Sequence, residues 1–178
     1  MPRISFTTPT GTTAERIIER RGGFLTPLDR LLAHNDGLAS GWNSLLGAVR
    51  QSFSVPGDLR ELIILRVAVL NSADYEWAAH VGLGRANGIP EATIEAIRVE
   101  GPVTTGDDRY DAVLAYTDAM TRGVAVSDET FGRLRGLFTE TEIVELTATV
   151  ASYNMVSRFL VALGVTAADR EPLLSGNA

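Results

Sequence analysis

The run Tyr75-Glu76-Trp77-Ala78-Ala79-His80 places a carboxylate and an imidazole four residues apart in a segment that otherwise reads as a buried helix. Residues at that spacing share one face of a helix, so Glu76 and His80 can exchange a proton. A second carboxylate, Glu61, stands nineteen residues before His80 in the equally apolar stretch Leu59 to Leu70. A carboxylate on an apolar helix is costly to bury unless it is paired. Two such acids beside one of only two histidines in the chain point to an acid/base site. His80 is the candidate general acid/base, because imidazole is the side chain that titrates nearest neutrality. In that reading Glu76 orients the ring and Glu61 tunes the charge of the pocket. A structural ion pair is the competing reading, since such pairs also bury titratable groups.

Other chemistries find less support. One histidine and two glutamates at helical spacing lack a second histidine, and His34 falls in the loop-like run His-Asn-Asp-Gly, so no metal is expected. There is no Gly-x-Ser-x-Gly elbow and no Gly-x-Gly-x-x-Gly after a strand. Gly82-Leu83-Gly84 lies inside a helical stretch and suits close helix packing. The segment Tyr153-Asn154-Met155-Val156-Ser157-Arg158-Phe159 mixes polar groups into an apolar helix, as either an interface or a substrate contact would. Arg66 and Arg158 sit among apolar neighbours, where each could grip a substrate carboxylate bidentately or pair with Glu61 or Glu145. The candidate substrate-binding residues are Tyr75, Trp77, Tyr153 and Arg66.

Composition narrows the partners. The chain has 178 residues, 45% of them hydrophobic, which suits a single domain with a real core. Its formal charge of −6, with no basic cluster longer than Arg20-Arg21, argues against a nucleic-acid partner. No cysteine is present, so disulfides, thiolate nucleophiles and thiolate metal sites are excluded. Met1 to Thr13 is polar and carries two prolines, unlike a secretory signal. The longest apolar run, Leu62 to Leu70, is interrupted by Arg66 and falls short of the ~20 residues of a membrane span. A soluble, cytoplasmic protein with a small-molecule substrate and no membrane partner is expected.

Helical punctuation recurs along the chain, and no stretch alternates as a strand would. Thr12 with Glu15 predicts a capping box for a short helix that stops at Gly22-Gly23. Thr26 caps a helix with Pro27 at its first position. Leu38, Trp42, Leu45 and Val49 repeat at helical spacing before Pro56-Gly57. Leu59 to about Ser72 reads as a central helix, and the break from Asn71 to Asp74 turns the chain into a second one that ends at Gly88, which makes a helical hairpin. Further helices are predicted from Glu91 to Arg98, around Tyr110 to Met120, after Ser127, and from the Thr139/Glu142 capping box to Gly164. The fold class is all-α, with an N-terminal arm and short helix over residues 1–24 and a helical domain over 25–178.

Glu61, the run Tyr75-Glu76-Trp77-Ala78-Ala79-His80 and the segment Tyr153-Asn154-Met155-Val156-Ser157-Arg158 together resemble the carboxymuconolactone decarboxylase family, over roughly Leu25 to Val165. The resemblance implies an alkylhydroperoxidase D-like helical bundle around a central antiparallel hairpin. In the peroxidase branch of that family a glutamate is followed by Cys-x-x-Cys and a histidine. Glu61 and His80 match the outer positions here, whereas Ala73 and Glu76 stand where the cysteines would be and Tyr75 where an intervening histidine would be. Peroxidase activity is therefore not expected. The decarboxylase branch is similar in carrying Glu-x-x-x-His without cysteine, and it implies a cofactor-independent lyase acting on a small carboxylated lactone or cyclic acid. It also implies a homo-oligomer, trimer or hexamer. The alternative is a helical binding or assembly protein that keeps the fold without catalysis.

Overall fold

The computed structural model describes residues 2–170. Among these residues the structure is helical throughout, with no strand: α1 (Thr12–Arg20), α2 (Pro27–Leu32), α3 (Asp36–Gln51), α4 (Gly57–Leu70), α5 (Asp74–Ala86), α6 (Glu91–Ala96), α7 (Asp108–Gly123), α8 (Asp128–Arg135), α9 (Glu140–Ala162) and a closing 3-10 turn, Ala167–Arg170. The upper bound of the expected domain, residue 178, lies outside the described residues.

Local chemistry explains most of the helix starts. Thr26 accepts the Asp29 backbone N–H while Asp29 accepts that of Thr26, and Pro27 takes the first helical position, where its missing N–H leaves nothing unpaired. Thr139 and Glu142 form the same reciprocal cap on α9, and Ser127 caps α8. The first helix departs from expectation. Its N-cap is Gly11 at φ 91°, a backbone shape that glycine adopts freely, so Thr12 is already helical and makes no capping bond.

α4 is the axis of the molecule. Leu62, Ile63, Ile64, Leu65 and Val67 are fully buried, and α5, α7 and α9 pack around this helix, which has no polar face to turn to solvent. The break after α4 reverses the chain at Ser72 (φ 52°) and lays α5 back along α4 as the expected hairpin. Gly84 permits the close approach: an added Cβ would stand 3.0 Å from Leu65 Cδ1 and 3.3 Å from Ile89 Cδ1. Ile17 of α1 joins the same core, which ties the N-terminal helix to the domain. The arm before it is pinned where Thr7 Oγ1 donates to the Arg30 carbonyl at 2.6 Å and Arg30 Nε donates to the Thr7 carbonyl at 2.8 Å.

On α3 the buried face is Ala39, Trp42, Leu46 and Val49, while Leu38 and Leu45 are exposed. The predicted stripe was offset because 38/42/45/49 and 39/42/46/49 fit a 3.6-residue period equally well. The choice between them is made by tertiary packing, with the Trp42 ring tilted against Phe159 of α9 at 5.2 Å. No helix among the described residues is long and apolar enough to cross a membrane.

Candidate active site

Glu61 projects from the first half of α4, and Glu76 and His80 project from α5. The short break between the two helices brings all three to one place in the interior, where they are 3%, 3% and 7% exposed. The hydrogen bond that orients the imidazole runs from His80 Nδ1 to Glu61 Oε2 at 2.7 Å. A carboxylate only accepts, so Nδ1 carries the proton and Nε2 is left toward the cavity. The i,i+4 partner is more distant, with Glu76 Oε2 3.6 Å from Nε2, beyond a hydrogen bond. The two acids thus exchange the places expected from their spacing: Glu61 holds the ring and Glu76 faces its open nitrogen.

Glu76 has an unusual environment. Its Oε2 is buried with no hydrogen-bond partner among the described residues. Burial pushes its carboxyl above the ordinary carboxylate range, although His80, Arg50, Arg170 and Arg21 pull the other way. A carboxyl that keeps its proton more readily than usual, beside an imidazole nitrogen, is a proton donor in waiting.

The trio opens on a cavity of about 720 Å³ whose wall includes Tyr75, Leu83 and five arginines, Arg20, Arg21, Arg50, Arg60 and Arg170. Arg21 is engaged with Asp29 at 2.5 Å, and Arg20 Nε donates to Asn43 Oδ1 at 2.6 Å. Arg60 Nε lies 3.5 Å from Glu61 Oε1. Five guanidinium groups against two glutamates make an electropositive enclosure, which favours an anionic small molecule. Burial and the neighbouring Glu76 charge raise the Tyr75 phenol to about 12, so it is a neutral donor at physiological pH. Among the described residues no three His, Asp or Glu side chains group as a metal site would require.

Three of the expected substrate contacts lie elsewhere. Arg66 has no exposed side-chain surface and is consumed by structure. Its Nε and Nη2 grip Asp118 of α7 at 2.6 Å each, and its terminal nitrogens donate to the carbonyls of Ile97, Val99 and Gly101. It does not line the cavity, and neither does Trp77, whose ring lies 5.0 Å under the Arg98 guanidinium. Tyr153 is fully buried behind the site, where its ring meets His80 edge-on at 5.4 Å and its hydroxyl accepts from Arg50 Nε at 3.0 Å. Arg158 donates to the Thr121 carbonyl, and Glu145 accepts from Ser54 and Val55, so neither arginine forms the pairings considered from the sequence.

Arg50 and its neighbouring arginines were not singled out from the sequence. Arg50 occupies the last turn of α3, where a basic side chain is ordinary because it complements the helix dipole. Its tyrosine partner is 103 residues away along the chain, so no local signal marks it.

A sequence model of the carboxymuconolactone decarboxylase family matches residues 36–119, which include Glu61, Glu76 and His80. No curated protein matches the sequence. Among solved structures, a protein of unknown function from Agrobacterium tumefaciens superposes with a TM-score of 0.62 at 28% identity, covering 70% of this chain and 86% of its own. An uncharacterized peroxidase-related protein from Ralstonia eutropha with an alkylhydroperoxidase AhpD core gives 0.72 at 17% identity, over 94% and 92% of the two chains. The debrominase Bmp8 in complex with 2,3,4-tribromopyrrole gives 0.73 at 19% identity, over 96% of each chain. At such identities the last two speak for the fold alone. The chain is thus similar to the carboxymuconolactone decarboxylase family over residues 36–119, just under half its length, and the shared architecture gives it an AhpD-like all-α fold, with no cysteine in the sequence.

Proposed function

We propose that the protein is a cofactor-independent carboxy-lyase that removes carbon dioxide from a small carboxylated lactone or cyclic acid by proton transfer through His80. The carrying observation is the buried His80–Glu61 bond at 2.7 Å with Glu76 beyond the open ring nitrogen, set in a cavity rich in arginine. In such a reaction the C–C bond to the carboxylate breaks and its electron pair moves into an adjacent carbonyl system as an enolate. Carbon dioxide leaves, and one proton must then be delivered to carbon. Glu61 holds the ring with Nδ1 protonated and Nε2 bare, so Glu76 first gives its proton to Nε2, Nε2 passes it to carbon, and Glu76 takes a proton back from solvent. The basic wall favours the charged substrate and stabilises the enolate as it forms. Tyr75 can donate to the same oxyanion.

The family resemblance and the exposed apolar residues Val144, Met155 and Val161 on α9 support a homo-oligomer, trimer or hexamer, which we place in the cytoplasm. Mass measurement in solution tests the assembly.

The activity is tested by following carbon dioxide release from 4-carboxymuconolactone and simpler lactone acids. His80→Ala is expected to lower turnover by roughly 10²–10⁴-fold, the usual worth of a general acid/base, with His80→Gln nearly as poor. Turnover retained by both folded variants removes His80 from the mechanism, and no release from any carboxylated lactone overturns the lyase assignment.

A further inference from the structure

The five arginines on the cavity wall are not equivalent. Arg21 is paired with Asp29, Arg60 Nε lies 3.5 Å from Glu61, and the Arg170 guanidinium rests 5.9 Å from the centre of the Tyr75 ring. Arg20 and Arg50 share a different arrangement. Arg20 Nε donates to the Asn43 side-chain oxygen at 2.6 Å, and Arg50 Nε donates to the Tyr153 hydroxyl at 3.0 Å. Both braces are neutral: an amide carries no charge, and burial pushes the Tyr153 phenol up to about 12. Each brace fixes its guanidinium through Nε and leaves the fork of Nη1 and Nη2, which has no hydrogen-bond partner among the described residues. Among those residues neither arginine has an ion-pair partner. The two charges are close enough to oppose each other. Burial, then Arg21 and Arg50, hold the Arg20 guanidinium below the ordinary arginine range, with Asp29 pulling the other way. Both arginines stand in the last turn of a helix, where a basic side chain is ordinary, but a helix end does not require Nε to be tied down.

We propose that Arg20 and Arg50 form a binding site for a phosphoryl dianion, either free phosphate or the phosphate of a monoester, with Asn43 and Tyr153 as the positioning residues. Charge and donor count carry this. Two unneutralised guanidinium groups in one cavity are matched by two negative charges on one compact group, and their forks together present four N–H donors. A carboxylate brings one charge and matches one fork. A phosphoryl group brings close to two charges and has oxygens for both forks. Glu76 opposes an anion less than an ordinary acid would, because burial raises its carboxyl and favours the protonated form. The site goes beyond the proposed lyase and does not rest on it. A phosphate held there competes with any anionic substrate of the same cavity.

Isothermal titration of the full chain at neutral pH and fixed ionic strength, with phosphate, phenyl phosphate, malonate and acetate, reads the site without any turnover. Phosphate should bind more tightly than acetate, and more tightly than malonate, whose two charges sit on separate planar groups. Arg20→Gln and Arg50→Gln should each weaken phosphate by roughly 10–100-fold, the loss of charge-assisted hydrogen bonds. Asn43→Asp keeps both arginines but turns the neutral brace of Arg20 into a counter-ion, so it should weaken phosphate by about tenfold or more. Asn43→Ala frees the fork without neutralising it and should cost only several-fold. Arg85→Gln changes an exposed arginine that pairs with Glu91 outside the cavity, and it should leave phosphate binding unchanged. Phenyl phosphate bound more tightly than phosphate assigns the site to a monoester, and phosphate bound at least as tightly assigns it to the free ion; either supports the site. Phosphate bound no better than acetate or malonate by the wild type, or bound equally by the wild type and folded Arg20→Gln, overturns it. Circular dichroism checks each fold. Should Arg50→Gln not fold, Arg20→Gln and Asn43→Asp decide, since both leave the Arg50–Tyr153 contact in place.

Discussion

Replacing Glu76 by glutamine removes one titratable proton from the cavity and leaves its shape nearly unchanged. Glu76 is 3% exposed with an unpartnered Oε2, and burial raises its carboxyl above the ordinary range. A carboxyl raised in the folded state binds its proton more tightly there than in the unfolded chain. Its contribution to stability is therefore complete below the unfolded value near ~4.3 and is lost as pH rises through the folded value. Since a single proton is involved, the loss proceeds at no more than about 1.4 kcal/mol per pH unit and levels off once both states are ionised. Glutamine has no such dependence. Glu76→Gln should therefore gain on the wild type as pH rises from the acid side toward neutrality, and the two should converge in acid. Urea unfolding from pH 4 to 8, followed by the fluorescence of Trp42 and Trp77, gives the difference directly, because other titrating groups are common to both proteins. A difference that does not change with pH, or that moves in favour of the wild type as pH rises, refutes the reasoning. It would mean that His80, Arg50, Arg170 and Arg21 outweigh burial and hold Glu76 as an anion.

Arg66→Ala should destabilise the fold by roughly 3–5 kcal/mol, because it strands a carboxylate and three carbonyl groups that the guanidinium now satisfies. Where the variant still folds, carbon dioxide release from 4-carboxymuconolactone should match the wild type, because Arg66 does not line the cavity, and a turnover assay beside urea unfolding checks both. Thr139→Ala should cost about 1 kcal/mol through loss of the α9 cap, read as a lower urea midpoint with an unchanged slope. The chain has no sulfur nucleophile among its 178 residues, so thiol-coupled reduction of an organic hydroperoxide should not exceed the control without enzyme. Turnover above that control that is lost in His80→Ala would contradict this.

The parts of the structure readable in the sequence are those written in local chemistry. Thr26-Pro27, Ser127 and Thr139 with Glu142 start helices through bonds spanning three residues. The meeting of Glu61 with His80 was readable because two polar residues in adjoining apolar helices have few places to go except to each other. Distance along the chain hid the rest. Arg66 looked available for a substrate because its partner Asp118 is 52 residues away, and Arg50 looked like ordinary helix punctuation because Tyr153 lies on a different helix. The exchange of roles between Glu61 and Glu76 is set by how α5 is rotated against α4, where Gly84 meets Leu65. The i,i+4 spacing of Glu76 and His80 carries no information about that rotation.

Proton delivery from His80 to carbon is the centre of the account, and turnover of 4-carboxymuconolactone in deuterated water tests it most directly. The account predicts one deuterium on the ring carbon next to the lactone carbonyl, where the dienolate left by decarboxylation takes up its proton, placed on a single face, with incorporation falling in step with carbon dioxide release in His80→Gln. Carbon dioxide release by folded His80→Gln at the wild-type rate, or deuterium delivered equally to both faces by the wild type, would contradict it.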